Sequence, residues 1–191
     1  MIKKIGVGFV AIILAIILTA GCTDQNTSQS NGDDADGTQI GDIAITSSAF
    51  VNGGNIPLKY SCDETNGIGI SPPLSFENIP GGAETLVLIL DDPDAPGEEP
   101  WVHWIIFNIP ADITGFEEDA IHQYYIGINS WDEIAYGGPC PPFGEEHRYY
   151  FRLYAIDTTL DLHDGASRQE VDDAMSGHIL GQTSLMGKYS S

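Results

Sequence analysis

Basic residues are scarce in this chain, which has 7 lysines and arginines against 28 aspartates and glutamates and a formal net charge of −21. A surface of that sign repels the phosphates of DNA and RNA, so the composition argues against a nucleic-acid partner. It suits a soluble, hydrated surface, and we expect most of these carboxylates to lie on solvated faces. The charge thus indicates the protein's surroundings more than its chemistry.

A long apolar run occurs only at the N-terminus. After Lys3 and Lys4 the sequence is apolar over residues 5–18 and then reads Leu-Thr-Ala-Gly-Cys, ending at Cys22. This is the layout of a secretory signal with small residues at its cleavage site. A cysteine in that setting resembles the lipobox of prokaryotic lipoproteins, which implies a signal over residues 1–21 and lipidation of Cys22. An uncleaved membrane helix is the alternative, and both place the domain outside the cytoplasm, tied to a membrane.

The segment that follows has almost no residues to bury. Residues 23–41 are Asp, Asn, Gln, Ser, Thr and Gly with few exceptions, so they cannot offset the entropy of ordering. We therefore expect a flexible tether over residues 22–41 and a single domain over residues 42–191, without internal repeats. Removal of residues 1–21 would leave 5 basic and 28 acidic residues, a net charge of −23.

Cysteine is also rare, with 3 in the chain. If Cys22 carries lipid, Cys62 and Cys140 remain as a pair in an oxidising compartment. A disulfide between them would join the loop around Cys62 to the loop around Cys140. Two unrelated buried thiols are the alternative.

The hydrophobic periodicity is mostly that of β-structure. Apolar runs bounded by Gly, Pro, Asn or Asp predict strands over residues 43–50, 86–90, 102–109 and 149–156, and a last strand over residues 180–189. Ser167 begins a capping-box pattern, and apolar residues then recur at helical spacing as far as Ile179. The pattern favours a mostly β fold, a two-sheet antiparallel β-sandwich with one or two short helices.

A loop rich in proline and glycine precedes the fourth of these strands. Residues 137–144 read Gly-Gly-Pro-Cys-Pro-Pro-Phe-Gly, and the prolines should hold the loop in one shape. In the strand that follows, alternation predicts that His147 and Tyr149 share one face while Arg148 and Arg152 share the other. The loop is expected to form a pocket wall, although an ordinary stiff loop beside a core strand would look alike.

Two further polar motifs lie near strand ends. Asp92 and Asp94 belong to an Asp-Pro-Asp-Ala-Pro turn directly after an apolar strand, a pattern that is weak evidence by itself. His103 opens the next apolar run, and alternation would place it on one face with Ile105 and Phe107. A lone histidine in such a strand is more often a core residue than a ligand contact.

Together these motifs resemble the phosphatidylethanolamine-binding protein family, in its prokaryotic Raf-kinase-inhibitor-like branch. The resemblance rests on the Asp-Pro-Asp-Ala-Pro, Trp-x-His, Gly-Gly-Pro-Cys-Pro-Pro and His-Arg-Tyr motifs, and it covers roughly residues 43–190. It implies a β-sandwich with a small pocket that accepts phosphate-like groups, phospholipid headgroups or small anions such as acetate. The implied ligand-binding residues are Asp92, Asp94, His103, Pro142, His147 and Tyr149. Glu145 and Glu146 would stand at the pocket's lip and oppose the entry of an anion.

The sequence therefore favours a membrane-tethered ligand-binding module that is not an enzyme and needs no cofactor. Its partners would be a small anionic or headgroup ligand and the membrane. One alternative is a metal- or carboxylate-dependent hydrolase that uses Asp92, His103 and His147. Against this alternative, the sequence contains no recognisable nucleophile motif or metal-binding motif. Another is a protein-interaction domain with a vestigial pocket.

The remaining histidines and two arginines are expected to be structural. His122 and His163 lie in polar segments and should be solvated, whereas His178 should pack on the apolar side of the helix. Arg148 and Arg152, opposite His147, should pair with carboxylates at the edge of the core.

Overall fold

Two antiparallel β-sheets dominate the structure, a computed structural model that describes residues 42–64, 69–120 and 124–191. In chain order the strands are β1 (Ala44–Thr46), β2 (Leu74–Glu77), β3 (Thr85–Asp92), β4 (Trp101–Pro110), β5 (Gly115–Phe116), β6 (Tyr125–Ile126), β7 (Glu146–Ile156) and β8 (Ile179–Ser190). The helices are a short 3-10 turn, Leu58–Tyr60, and α1, Arg168–Met175. The signal, Cys22, the tether and His122 lie outside the described residues.

The smaller sheet has the strand order β1-β2-β5, and the larger has the order β6-β4-β3-β7-β8. This confirms the expected mostly β fold with two antiparallel sheets and short helices. Over the three described ranges, the helices lack the length and apolarity needed to cross a membrane.

The central strand β3 is buried on both faces, which explains its uninterrupted apolar run. Leu86, Leu88 and Leu90 point into the core between the sheets. Val87 and Ile89 point the other way, into a second core under α1. Antiparallel sheets often leave one face in water, but here the helix and its flanking loops cover the outer face.

Strand β7 alternates as its sequence predicts. His147, Tyr149 and Phe151 are buried on the side of the inter-sheet core, while Arg148 is exposed and Arg152 is half-buried on the other. This period of two fixes which side chains of β7 reach the end of the sandwich where the candidate site lies.

Helix α1 begins where the capping box predicts but ends sooner than its apolar pattern. The Ser167 hydroxyl accepts from the Glu170 backbone, and the Glu170 carboxylate accepts from the Ser167 N–H. Gly177 then takes a φ of +86°, a left-handed conformation that ends helices. His178 therefore lies beyond the helix, half-exposed, with Nδ1 2.7 Å from Asp157. The expectation that it packs on the helix's apolar side was wrong.

Candidate functional site

The ends of three neighbouring strands meet at one cavity. Because β4, β3 and β7 are antiparallel neighbours, the end of β3 lies beside the starts of the other two, and Asp92 pairs with Trp101. This topology brings Asp92, His103 and His147 together from distant parts of the sequence. The cavity has a volume of about 310 Å³ and is lined by Asp92, Ala95, Pro96, Trp101, His103, Trp131, Cys140, Pro141, Pro142 and His147.

A β-bulge turns His103 toward this cavity. Leu90 pairs with Trp104, whereas the next residue of β3, Asp91, pairs with Val102, so His103 is an extra residue in β4. Its ring lies edge-on to Tyr149 at 5.2 Å between centroids, on the side of the inter-sheet core. Ile105 and Phe107 point instead into the core under α1. The expectation that His103 shares their face was wrong, because simple alternation fails at a bulge.

His103 is a buried, neutral imidazole. It is 2% exposed, and its Nδ1–H donates to the carbonyl oxygens of Gly137 at 3.0 Å and Gly138 at 3.1 Å. Burial lowers the pKa of His103, and these carbonyl contacts raise it by less, so the net pKa lies below its usual value. With the proton on Nδ1, the Nε2 atom is an acceptor rather than a donor.

Glycine is required beside His103. The Gly137 N–H also donates to the His103 carbonyl, at 2.9 Å, so the loop and β4 are bonded in both directions. A Cβ at Gly137 would lie 2.6 Å from the Trp131 ring, closer than van der Waals contact permits. The glycine therefore allows the loop to approach both His103 and Trp131.

His147 is held between two carboxylates. Nδ1 lies 2.7 Å from Asp92 Oδ2, and Nε2 lies 3.3 Å from Glu145 Oε2. A carboxylate can only accept, so both ring nitrogens act as donors and the ring is an imidazolium. Burial lowers the pKa of His147, but the hydrogen bonds to Asp92 and Glu145 outweigh it and the net pKa is raised.

Asp92 organises the turn as well as the histidine. It is 3% exposed, and its Oδ1 accepts the backbone N–H of Asp94 at 2.9 Å and of Ala95 at 3.1 Å. Its other oxygen accepts from His147. The Asp-Pro-Asp-Ala-Pro sequence therefore places a fully hydrogen-bonded carboxylate at the inner wall of the cavity.

Two of the residues implied by the resemblance lie outside the cavity wall formed by the described residues. Asp94 makes a bidentate pair with Arg148 at 2.6 and 2.8 Å, and the hydrogen bond to Arg148 lowers the pKa of Asp94 to about 2. Tyr149 lies behind the histidines, where burial raises the pKa of its hydroxyl. That hydroxyl is buried without a hydrogen-bond partner of normal geometry among the described residues, although Asp92 and the backbone of Cys140 lie nearby.

The expectation for the arginines of β7 holds. Arg148 pairs with Asp94, and Arg152 makes a bidentate pair with the buried carboxylate of Asp91 at 2.7 and 3.0 Å. Both arginines are thus engaged by carboxylates on their own side of the sheet.

Two tryptophans that sequence reasoning did not assign to the site form much of its wall. The ring centroids of Trp101 and Trp131 are 5.4 Å apart in an edge-to-face arrangement, and Trp131 lies 4.9 Å from His103. Trp101 belongs to the Trp-x-His motif, so the sequence could have indicated that it lies at the site with His103. Trp131 lies a few residues before the Gly-Gly-Pro-Cys-Pro-Pro motif but belongs to none of the motifs, and only the fold shows that it contacts His103.

The remaining wall is fixed by a disulfide. Cys62 and Cys140 are bonded, with 5.4 Å between their Cα atoms, which confirms the predicted disulfide. The Cys62 N–H also donates to the Pro139 carbonyl at 3.1 Å, and the Tyr136 hydroxyl donates to the Tyr60 carbonyl at 2.9 Å. These contacts anchor the loop that carries Pro141 and Pro142. In the part of the chain that the structure describes, no group of three or more His, Cys, Asp or Glu side chains is arranged to hold a metal ion.

Comparisons with known proteins agree with this architecture. A family model described as phosphatidylethanolamine-binding protein matches residues 46–190. The UPF0098 protein of Methanothermobacter thermautotrophicus is 51% identical over 147 residues, which cover 74% of this chain and 94% of that protein. The UPF0098 protein of Chlamydia trachomatis is 44% identical over 151 residues, which cover 77% and 98%.

Solved structures show the same fold. The crystal structure of a phosphatidylethanolamine-binding protein homolog from Chlamydia trachomatis matches with a TM-score of 0.74 and 42% identity, over 79% of this chain and 99% of that one. Escherichia coli YbcL matches with a TM-score of 0.72 and 24% identity, over 78% and 99%, and supports the fold alone.

Proposed function

Because the chain belongs to the phosphatidylethanolamine-binding protein family, we propose that its domain is a binding module for a small ligand that carries an oxyanion, either a phosphate-like anion or a phospholipid headgroup. The cavity between Asp92, His103 and His147 is the proposed site. Its volume of about 310 Å³ lies at the small end of the range for ligand pockets and suits a group of headgroup size.

The observation that carries this proposal is the buried imidazolium of His147. Asp92 holds its Nδ1–H at 2.7 Å, so the ring is fixed and its Nε2–H edge lines the cavity. A charged N–H donor in a partly dry cavity is a strong contact for a phosphate or carboxylate oxygen. The ion pair with Asp92 keeps this donor charged in a protein whose overall field repels anions.

We favour binding over turnover because the described lining of the cavity offers neither a serine or threonine hydroxyl nor a free thiol for a covalent step. The cysteine of that lining, Cys140, is in the disulfide. A hydrolase built on Asp92, His103 and His147 would have to use water or a metal ion.

In this proposal the domain belongs to the Raf-kinase-inhibitor-like branch and works outside the cytoplasm. The Leu-Thr-Ala-Gly-Cys sequence ending at Cys22 supports export and lipid anchoring, and residues 22–41 would serve as the tether. A flexible chain of that length has a root-mean-square reach of roughly 25 Å, which would keep the pocket near the membrane surface. An exported domain would not meet an intracellular kinase, so the proposed role is ligand binding.

Calorimetric titration of the full chain in a nonionic detergent tests the site. Phosphate and phosphoethanolamine should each bind saturably, and His147→Ala should weaken both by tenfold or more, since a charge-assisted hydrogen bond contributes about 1.5–3 kcal/mol. His163→Ala, which alters an exposed histidine that stacks on Tyr125 and is not part of the cavity lining, is the matched control.

Two results would replace the proposal with another. Unchanged affinities in both His103→Ala and His147→Ala, with the fold intact, would indicate a vestigial pocket. Tight stoichiometric binding of zinc that requires Asp92 would instead support the hydrolase.

A further inference from the structure

We propose that Glu145 determines the specificity of the pocket: its carboxylate occupies the position of an anion on His147, so the pocket favours a ligand that brings a positive charge along with its oxyanion over a simple anion. This inference rests on the proposed oxyanion site. It concerns which ligands that site accepts.

The cavity lining offers one charged donor, the imidazolium of His147, besides an uncharged one, the indole N–H of Trp101, which is buried without a hydrogen-bond partner among the described residues. His103 presents the bare Nε2 of its neutral ring, because Nδ1–H is taken by the carbonyls of Gly137 and Gly138. His147 presents one N–H, at Nε2, and Glu145 already accepts it at 3.3 Å. A simple anion therefore finds its one imidazolium donor in use. A ligand with its own N–H donors also finds acceptors.

The local charge points the same way. Asp92 and Glu145 each contribute −1, His147 contributes +1 and His103 is neutral, so the group carries −1. A phosphate ion entering with Glu145 in place would add to that negative charge. An ammonium group on the same ligand would offset it, and the lining contains two indole rings, of Trp101 and Trp131, a residue type that attracts cations.

Glu145 is aimed at His147 by its backbone. Its N–H donates to the Pro142 carbonyl at 3.0 Å, and the preceding Gly144 takes a φ of +84° and donates to the Ser191 carbonyl at 3.2 Å. This turn sets the carboxylate against Nε2 of His147, a residue of the cavity lining. The Glu145 side chain is 61% exposed although that of His147 is 5% exposed, so the carboxylate can turn into water at the modest cost of an ion pair with one exposed partner.

The next residue provides a matched control. Glu146 is the first residue of β7 and its side chain is similarly exposed, but it faces Lys188, with Oε1 3.4 Å from Nζ. Glu145→Gln and Glu146→Gln therefore each remove one negative charge at neighbouring positions, but only Glu145→Gln removes a carboxylate that contacts the imidazolium of His147.

The test compares three probes on the full chain in a nonionic detergent: inorganic phosphate, phosphoethanolamine and N-acetylphosphoethanolamine. The last two are phosphate monoesters that differ in the charge of the amine. Wild type should bind phosphoethanolamine more tightly than the other two probes. Glu145→Gln should tighten the binding of phosphate and of the acetylated ester by up to about fivefold and reduce the preference for the amine, whereas Glu146→Gln should match wild type.

The outcomes separate this inference from the proposed function. If wild type and Glu145→Gln bind the three probes with the same relative affinities, and His147→Ala weakens all three, the oxyanion site stands and the role of Glu145 is refuted. A larger effect of Glu146→Gln than of Glu145→Gln would also refute the role of Glu145, because the effect would then come from the overall charge and not from the contact with His147. If neither the wild type nor any variant binds any of the three probes, the proposed function itself fails.

Discussion

At the scale of single residues, two buried histidines at one cavity hold opposite protonation states. Burial lowers the pKa of His103, whose partners are the uncharged carbonyls of Gly137 and Gly138. Burial acts on His147 in the same direction, but the carboxylates of Asp92 and Glu145 raise its pKa by more. The charge of the partner decides the state, since an uncharged acceptor cannot repay the desolvation of an imidazolium.

This difference predicts how stability changes with pH. Because the folded-state pKa of His147 is raised, its contribution to the free energy of unfolding is fully present below the unfolded pKa of ~6.5. That contribution is lost as pH rises through the folded pKa. His147→Gln should therefore be less stable than wild type near pH 6, and the gap should narrow toward pH 9 in urea denaturation.

The exposed His163 supplies the control for this profile. His163→Gln changes an exposed histidine outside the cavity lining and so controls for the substitution itself. A constant gap between wild type and His147→Gln from pH 6 to 9 would mean that the histidine contributes packing and not charge. The contribution of His103 to the free energy of unfolding changes with pH in the opposite direction. Because the folded-state pKa of His103 is lowered, the folded state loses stability as pH falls below ~6.5.

At the scale of elements, rigid loops rather than strands complete the pocket. The wall that carries Pro141 and Pro142 is held by the disulfide and by the hydrogen bond from Cys62 to Pro139. The turn from Pro142 to Glu145 then leads directly into β7. Movement of this loop would shift Glu145 relative to His147.

Removal of the disulfide should weaken both stability and binding. Cys62 and Cys140 are 78 positions apart, for which the loss of loop entropy in the unfolded chain gives about 4.5 kcal/mol as an upper figure. We expect the double variant Cys62→Ser with Cys140→Ser to lose about 2–4 kcal/mol in denaturant unfolding. Its phosphoethanolamine affinity should also fall, because the loop would no longer be fixed.

Reduction of the wild-type chain is the matched experiment. It should lower the denaturant midpoint of unfolding by as much as the double substitution does. A thiol count on the unfolded, unreduced chain must also show that Cys62 and Cys140 are blocked. Free thiols at both positions would contradict the disulfide.

At the scale of the whole molecule, the strong negative charge and the proposed tether set where the pocket meets its ligand. With a net charge of −21, the chain repels anionic surfaces at a distance, and lipid attachment would hold the domain near a membrane in spite of that repulsion. A single acyl chain anchors weakly, so the number of lipids at Cys22 would decide how lasting the attachment is.

The anchor predicts a change in location for one substitution. Cys22→Ser should move the protein from the membrane fraction to the soluble extracytoplasmic fraction, because it removes the proposed lipidation site. Fractionation followed by immunoblotting measures this, and retention of Cys22→Ser in the membrane would indicate an uncleaved helix.

The domain itself should be independent of the anchor. A chain that begins at Asp42 should keep the cooperative unfolding transition of the longer chain, since residues 23–41 offer almost nothing to bury. Loss of that transition would show that the preceding residues belong to the domain.

Long periodic segments made most of the fold predictable. Strand β3 was found as a continuous apolar run, β7 as an alternating one, and α1 by its capping box. The smaller sheet was largely missed, because β2 and β5 have four and two residues, too few for a periodic pattern. Strand β1 is shorter than predicted, and the Ser47 hydroxyl just beyond it bonds the Pro73 carbonyl and the Ala49 N–H, contacts typical of a turn.

The sequence by itself determined the mostly β class, because hydrophobic periodicity is a local pattern. It favoured the pairing of Cys62 with Cys140 by a count of cysteines, and it indicated the pocket residues through the family resemblance. Only the tertiary structure decided which of these residues are in contact and which protonation states they hold. The contacts of Trp131 with His103 and of Asp92 with His147 join segments that are not neighbours in the chain, and the bulge at His103 depends on the register between β3 and β4. Protonation depends on burial and on the nearest charge, and neither is a property of a residue's neighbours in sequence.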